Sequence, residues 1–506
     1  MRPGRNTPPV QQSGSAFVIR GWLWPDPSSA PFPGWILIEI DASTRRGRIR
    51  DLAPIRERAA PPDTPVAING LSEIAPLLIA PGFIDAHAHV PQINSIGYDG
   101  LELLEWLGSF IFPAESRWAD SAVAQADAGW FLSRIIEAGT LGAAAYLTSH
   151  GTGAKAVADT AASMAGGGPR LAVGRVLMDR ESPASLHHKR ADVDRALRHR
   201  DFSRWCGTAQ DNVRSNENAQ SCRIEWSVNP RFAIACTGEA LEHAAALAKL
   251  PPEHQSETGT AGGDPSSVAS LSPSPRIVQT HLAETPTECR RVAELFPESN
   301  DYLAVYEQYG LVHERSLLAL AIHLSDDAWQ RIAAAGAVVV HCPTANLFLE
   351  AGSFDLAAAT RHKARVALGS DIAAGPDAAM PRVARAMIEN AKWRRMRERE
   401  RERADQQNVG AAIVPTPAQA WSMITRGNAD ALGWTDAGRL EVGAAADLLL
   451  LQPGRCGIDI AEPHLAGRLI YNWRNDLIRA RVINGVIDDA DREAGEARPS
   501  ASREFA

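Results

Sequence analysis

Cysteine is scarce in this chain: six residues in 506, with no CxxC pair among them. That scarcity argues against a disulfide framework and points to a reducing compartment. Long hydrophobic runs are missing too. No stretch approaches the ~20 apolar residues of a membrane-spanning helix. The opening MRPGRNTPPVQQSGS is polar and proline-rich, without the apolar segment a secretory signal places after its basic residues. Neither sign of charge dominates, with 52 Lys+Arg against 60 Asp+Glu and a formal net charge of −8. A broad electrostatic pull toward nucleic acid or an anionic membrane is therefore not expected. The expectation is a cytoplasmic protein.

What is present is an ordinary globular composition, 45% hydrophobic and 22% charged, sufficient for a large core. Single domains usually run to roughly 100–200 residues, but α/β barrels with insertions exceed that as one unit. Residues 1–15 read as a loose tail, and 491–506 as another. Short β-type runs follow the first tail (FVIRGWLW, WILIEI, PLLIA) and precede the second (ADLLLLQP, RLIYNW, IRARVING). They predict a small β-sandwich domain assembled from residues 16–80 and 436–490. Between them, residues 81–435 alternate apolar runs with Ala-rich amphipathic stretches, the signature of a βα repeat with a parallel sheet. Eight strands are expected: FIDAHAH, LGAAAYL, RLAVGRVL, RIEWSV, RIVQTH, LLALAIH, AVVVHC and RVALGS. Eight closes a (β/α)₈ TIM-type barrel. The Ser/Pro/Gly-rich stretch 252–275 cannot bury a core and reads as a low-complexity insertion on the face away from the chemistry. KWRRMRERERER at 392–403 mixes charge signs at helical spacing, as a solvated helix face does.

Chemistry-bearing residues collect where strands end. His87 and His89 lie two apart in PGFIDAHAHV, so both imidazoles can face the same side of a strand. At the C-terminal rim of a barrel they make half of a zinc-type site. His281 closes RIVQTH, where a ligand is favoured over a core histidine. Asp371 closes ALGSD; it can bind a metal, or be a turn aspartate before the Ala/Gly loop. Together His87, His89, His281 and Asp371 form an N₃O set suited to one Zn²⁺, or Fe²⁺, per chain. Glu284, three residues past His281, can shuttle a proton between an activated water and a ring nitrogen, or merely cap the helix that follows.

The stretch PGFIDAHAH resembles the metal-dependent amidohydrolase superfamily. Within it PQINSIG, LLEWLGSFIFPAESR, NPRFAIAC, QTHLAET, HCPTANLFLEAGSFDL and GRLEVGAAADLLLL are similar to segments of guanine deaminases. The resemblance covers about residues 75–455 apart from the insertion. It implies hydrolytic deamination of guanine to xanthine and ammonia in purine catabolism, and a homodimer. It further implies that Gln92, Arg231 and Phe232 hold the purine. Gln92 would bond the ring edge, Arg231 would donate to the carbonyl oxygen and a ring nitrogen, and Phe232 would wall the ring. Glu284 would contact the reacting amidine and, with Asp371, do the proton transfer. One position departs from the family pattern. Where the sixth strand usually carries a histidine, this chain has Leu320; His323 and His313 are the nearby imidazoles. That departure leaves open an impaired or non-catalytic purine-binding relative. A deaminase of another aminated heterocycle is a separate alternative, against which Gln92, Arg231 and the FPAE stretch argue.

Overall fold

The computed structural model describes residues 16–72, 74–206, 223–250, 275–405 and 412–489. The expected tails at 1–15 and 491–506, and the insertion at 252–275 up to its last residue, lie outside the described residues.

The expected βα middle forms two four-stranded parallel sheets. One holds Phe83–His89, Thr140–Tyr146, Arg170–Gly174 and Ile224–Trp226, and the other Val278–Leu282, Ser316–Leu320, Val338–His341 and Arg365–Leu368. All eight predicted runs are therefore strands. Seven of the eight are buried for most or all of their length, as suits parallel strands covered on both faces. Backbone hydrogen bonds cross between the sheets at both seams. Val228 N–H donates to Ile277 O (2.9 Å) and Gln279 N–H to Val228 O (2.9 Å) on one side. On the other, Asp371 N–H donates to His87 O (2.8 Å) and His89 N–H to Ile372 O (2.9 Å). The helices between strands carry side-chain caps, for example Thr285 with Glu288 in a reciprocal capping box and Ser325 on the N–H of Ala328.

Two strands depart from the sequence expectation, each for a local reason. RLAVGRVL breaks after Gly174, with a short second piece at Val176–Leu177. A Cβ at Gly174 would lie 2.0 Å from Ser227 O, so two backbones pass too closely for a regular continuation. LLALAIH was expected to reach His323, but the strand stops at Leu320. There Leu320 and Ala321 take left-handed φ values of 69° and 47°, and the chain turns out of the sheet.

The two ends of the chain meet in one eight-stranded sheet, in which Leu78–Pro81 pairs with both Ala16–Leu23 and Leu448–Leu451. Ile19, Ile36, Ile38, Ile79, Leu448 and Leu450 bury a core of their own there, separate from that of the parallel strands. Among the described residues no helix is long and apolar enough to cross a membrane.

Candidate active site

The strand Phe83–His89 places His87 and His89, 1% and 3% exposed, at its C-terminal end. Asp85, on the same strand, fixes the seam beneath them. Its carboxylate accepts from the N–H groups of His87 (3.1 Å) and Ser370 (2.9 Å) and from the Ser370 hydroxyl. Burial pushes the Asp85 carboxyl up to about 6. Gly369 lets the last strand come close, since a Cβ there would lie 2.6 Å from the His87 Cβ. The chain then turns through Asp371, at φ 53°, and delivers its carboxylate to the two imidazoles.

Asp371 Oδ1 lies 3.2 Å from His87 Nε2 and 3.4 Å from His89 Nε2. His281 closes the group, its Nε2 3.2 Å from His89 Nε2. Its Nδ1 is 2.6 Å from the Arg231 carbonyl oxygen, which fixes the ring with Nδ1–H donating and leaves Nε2 free to ligate. Ligand atoms of His87, His89, His281 and Asp371 all fall within 4.8 Å of one another, and all four residues are buried. The three imidazoles and carboxylate of the sequence reading thus converge. The donor set fits a metal ion. Beyond its approach to Asp371, the buried His87 Nε2 has no partner among the described residues, as an atom directed at an ion shared with that carboxylate would be. Burial drives His89 down to about 4 and His281 well below its ordinary value, so both rings are neutral. Burial also pushes Asp371 up, but the neighbouring His87 and His89 outweigh it and hold the carboxyl below its usual range. Neutral imidazoles and an ionised carboxylate are the protonation states that metal ligation requires.

A cavity of about 380 Å³, counting the open space at its mouth, lies beside this cluster. His89, His281 and Asp371 form its inner wall, and Gln92, Arg231, Phe232 and Glu284 also line it. Every proposed purine contact therefore faces one space. Leu107, in the π-helical turn Leu107–Ile111, and Trp106 just before it supply apolar wall. One residue that the sequence reading quoted but gave no role ties the polar wall together. Glu115, the acid of FPAE, is fully buried and accepts from Arg231 Nη1 at 2.8 and 2.6 Å and from Gln92 Nε2 at 2.9 Å. Gln92 Oε1 in turn accepts from the N–H of Ala373 (3.2 Å). A charged residue inside an otherwise apolar stretch was the available signal.

Glu284 is buried and makes no ion pair among the described residues; Arg231 is the one cation near enough to act on it, and it offsets the effect of burial only in part. Burial, then the nearby Asp371 and Glu288, raise its carboxyl well above the ordinary range. Glu288, which caps the following helix, accepts from the Glu284 and Thr285 N–H groups at 2.7 and 3.2 Å and from the Tyr302 hydroxyl at 2.7 Å. The capping role weighed for Glu284 thus belongs to Glu288, and Glu284 is left to the cavity. Leu320 is buried, and its strand end adds no polar side chain to the cluster. His323 does not replace it: its Nε2 is turned to the Ala351 carbonyl at 2.8 Å. His313 stays before the strand, its Nδ1 accepting from the Arg315 N–H at 3.2 Å.

Residues 78–250 and 273–487 match the model of the Amidohydrolase family. Guanine deaminase of Escherichia coli (strain K12) is 31% identical over 301 residues, 59% of this chain and 59% of that protein. The Dictyostelium discoideum guanine deaminase is 30% identical over 322 residues, 61% of each. The chain thus spans about three-fifths of the length of these relatives. Among solved structures, guanine deaminase from Bradyrhizobium japonicum matches with a TM-score of 0.77 at 24% identity, over 94% of this chain and 99% of that one. Guanine deaminase from C. acetobutylicum, with guanine bound in its active site, matches at 0.74 and 22%, over 94% and 100%. At these identities the structural likeness is one of fold. With the family model covering most of its length, the chain belongs to the amidohydrolase family.

Proposed function

We propose that this chain is an enzyme that deaminates guanine, taking up one water and releasing xanthine and ammonia. The observation that carries the reading is one cavity bounded by a four-ligand cluster, a Gln92–Arg231 wall held by Glu115, and a buried acid with a raised pKa. The sequence likeness to guanine deaminases supports the choice of substrate.

Held by His87, His89, His281 and Asp371, a zinc ion, or a ferrous ion, would supply Lewis acidity that lowers the pKa of a water toward about 7. The chain's own residues do the rest. Arg231, its guanidinium held by Glu115, presents remaining N–H donors to the carbonyl oxygen and a ring nitrogen of the base. Gln92 is oriented by Glu115 and the Ala373 N–H, so its amide meets the ring edge in a fixed sense. Phe232 walls the ring and excludes water. Asp371 accepts a hydrogen bond from the reacting water and takes its proton. Glu284 carries a proton to the ring nitrogen next to the amino-bearing carbon, then helps deliver one to the departing amine. A buried carboxyl with a raised pKa is suited to that shuttle.

The finer architecture belongs to the same reading. The two parallel sheets, hydrogen-bonded at both seams, are read as halves of a (β/α)₈ barrel spanning 81–435. The terminal sheet, with its separate core, is read as a β-sandwich domain from 16–80 and 436–490. The enzyme is placed in the cytoplasm, in purine catabolism, as a homodimer; the four free cysteines among the described residues agree with a reducing compartment. The test is a panel of aminated heterocycles offered to zinc-loaded protein. Guanine is expected to be the preferred substrate by kcat/KM, and Arg231→Ala to raise its KM by roughly 10-fold or more. A triazine or an adenine derivative turned over faster than guanine would overturn the assignment.

A further inference from the structure

Tyr146 ends the strand Thr140–Tyr146 directly after Ala143, Ala144 and Ala145, so a large aromatic side chain follows three small ones at the rim. It is fully buried. Its ring centroid lies 5.2, 4.7 and 5.1 Å from those of His87, His89 and His281, and it stacks on His89 at an interplanar angle of 27°. The ring thus touches all three imidazoles of the cluster. Its hydroxyl is buried with no hydrogen-bond partner among the described residues. A lone buried hydroxyl costs roughly 1–3 kcal/mol, and a phenylalanine would fill the same apolar space without that cost. A group kept at such cost beside the three imidazoles calls for a partner that the described residues do not supply. Tyr306, Arg231, Asp371 and Cys342 are among the groups around it. The sixth strand, by contrast, ends in the buried, apolar Leu320, and His323 is engaged with the Ala351 carbonyl.

We propose that Tyr146 is a catalytic residue of this site, its phenolic O–H donating a hydrogen bond to the oxygen of the reacting water. The phenol keeps its proton throughout. The hydrogen bond stabilises the oxygen as the water's own proton leaves for Asp371, and again once that oxygen is joined to the ring carbon. The identity of the reaction rests on the deaminase reading; the hydrogen bond does not.

The test is Tyr146→Phe in the full chain, loaded with zinc for kinetics and with cobalt(II) for its visible spectrum. Removing one such donor is expected to lower kcat for guanine by about 10²-fold, with KM changed by less than about threefold and ion content unchanged. The cobalt(II) band should change position or intensity, which a purely structural ring would not cause. Unchanged kcat together with an unchanged spectrum would overturn the proposal. Should the parent protein fail to turn over guanine, the spectrum alone decides. A difference then upholds the Tyr146 hydrogen bond while the deaminase reading falls, and identical spectra overturn it.

Discussion

One cavity has a buried carboxylate behind its Gln92–Arg231 wall and a buried carboxyl group in another wall, in opposite circumstances. Glu115 is gripped by Arg231 at 2.8 and 2.6 Å and by Gln92 at 2.9 Å. Glu284 faces Asp371 and Glu288, two further acids, and burial and both acids push it well above its ordinary pKa despite the opposing pull of the nearby Arg231 charge. The chemical type is the same and the environment decides the role. A buried carboxylate with its cation is a fixed strut that aims donors. A buried carboxyl without one can hold a proton and release it. In the proposed reaction, recognition and proton transfer are thereby assigned to different sides of a single pocket.

The sharpest way to break this division is to make the same substitution on both walls. Glu284→Gln removes the proton carrier at constant shape and should lower kcat by about 10²–10⁴-fold. Glu115→Gln should act mainly on KM, because it loosens Arg231 and Gln92 without touching the proton path. Steady-state kinetics on guanine separate the two, and a Glu115→Gln variant that lost kcat at unchanged KM would dissolve the contrast. A smaller effect concerns stability. Arg231→Met leaves Glu115 buried and unpaired, and should cost about 3–5 kcal/mol. Adding Glu115→Gln should recover most of that loss in urea unfolding. A double variant no more stable than Arg231→Met would mean that the pair is not a unit.

The smallest expected effect is in pH. His89 falls from 6.5 in the unfolded chain to about 4 in the folded metal-free protein because it is buried, and His281 moves the same way. Between those values the unfolded state binds more protons, so their contribution is present above about 6.5 and is lost as pH falls toward 4. Glu284 works in the opposite sense. Its raised folded pKa favours the folded state at low pH, and that contribution is lost as pH rises through the folded value. The metal-free Glu284→Gln variant should therefore lose stability on acidification from pH 6.5 to 4.5 more steeply than the parent. Parallel denaturation curves across that range would show that Glu284 is not proton-loaded.

Much of this was legible in the sequence because it is local. Histidines two apart at a strand end, a histidine closing RIVQTH and an aspartate closing ALGSD each declare a rim position through strand periodicity alone. All eight strands of the middle follow from apolar runs, and the joining of the chain's two ends follows from their shared β character. What stayed hidden depends on distance in sequence or on backbone turns. Glu115 and Arg231 are 116 residues apart, so their pairing has no local signal. The partnerless hydroxyl of Tyr146 becomes evident only once its neighbours are assembled. The stop at Leu320 rests on two left-handed residues, Leu320 and Ala321, that are neither glycine nor asparagine. No turn chemistry in LLALAIHLS announces it, which is why that strand was expected to run on to His323.

The central claim is that the His87–His89–His281–Asp371 cluster and the cavity beside it act together on guanine. The most direct measurement follows ammonia and xanthine from guanine with the full chain, first stripped by chelator and then reloaded with one equivalent of zinc. The account predicts equal amounts of the two products, absent from the stripped protein and restored on reloading. Protein that binds one zinc per chain through these four residues, yet forms neither product above the uncatalysed rate, would contradict it.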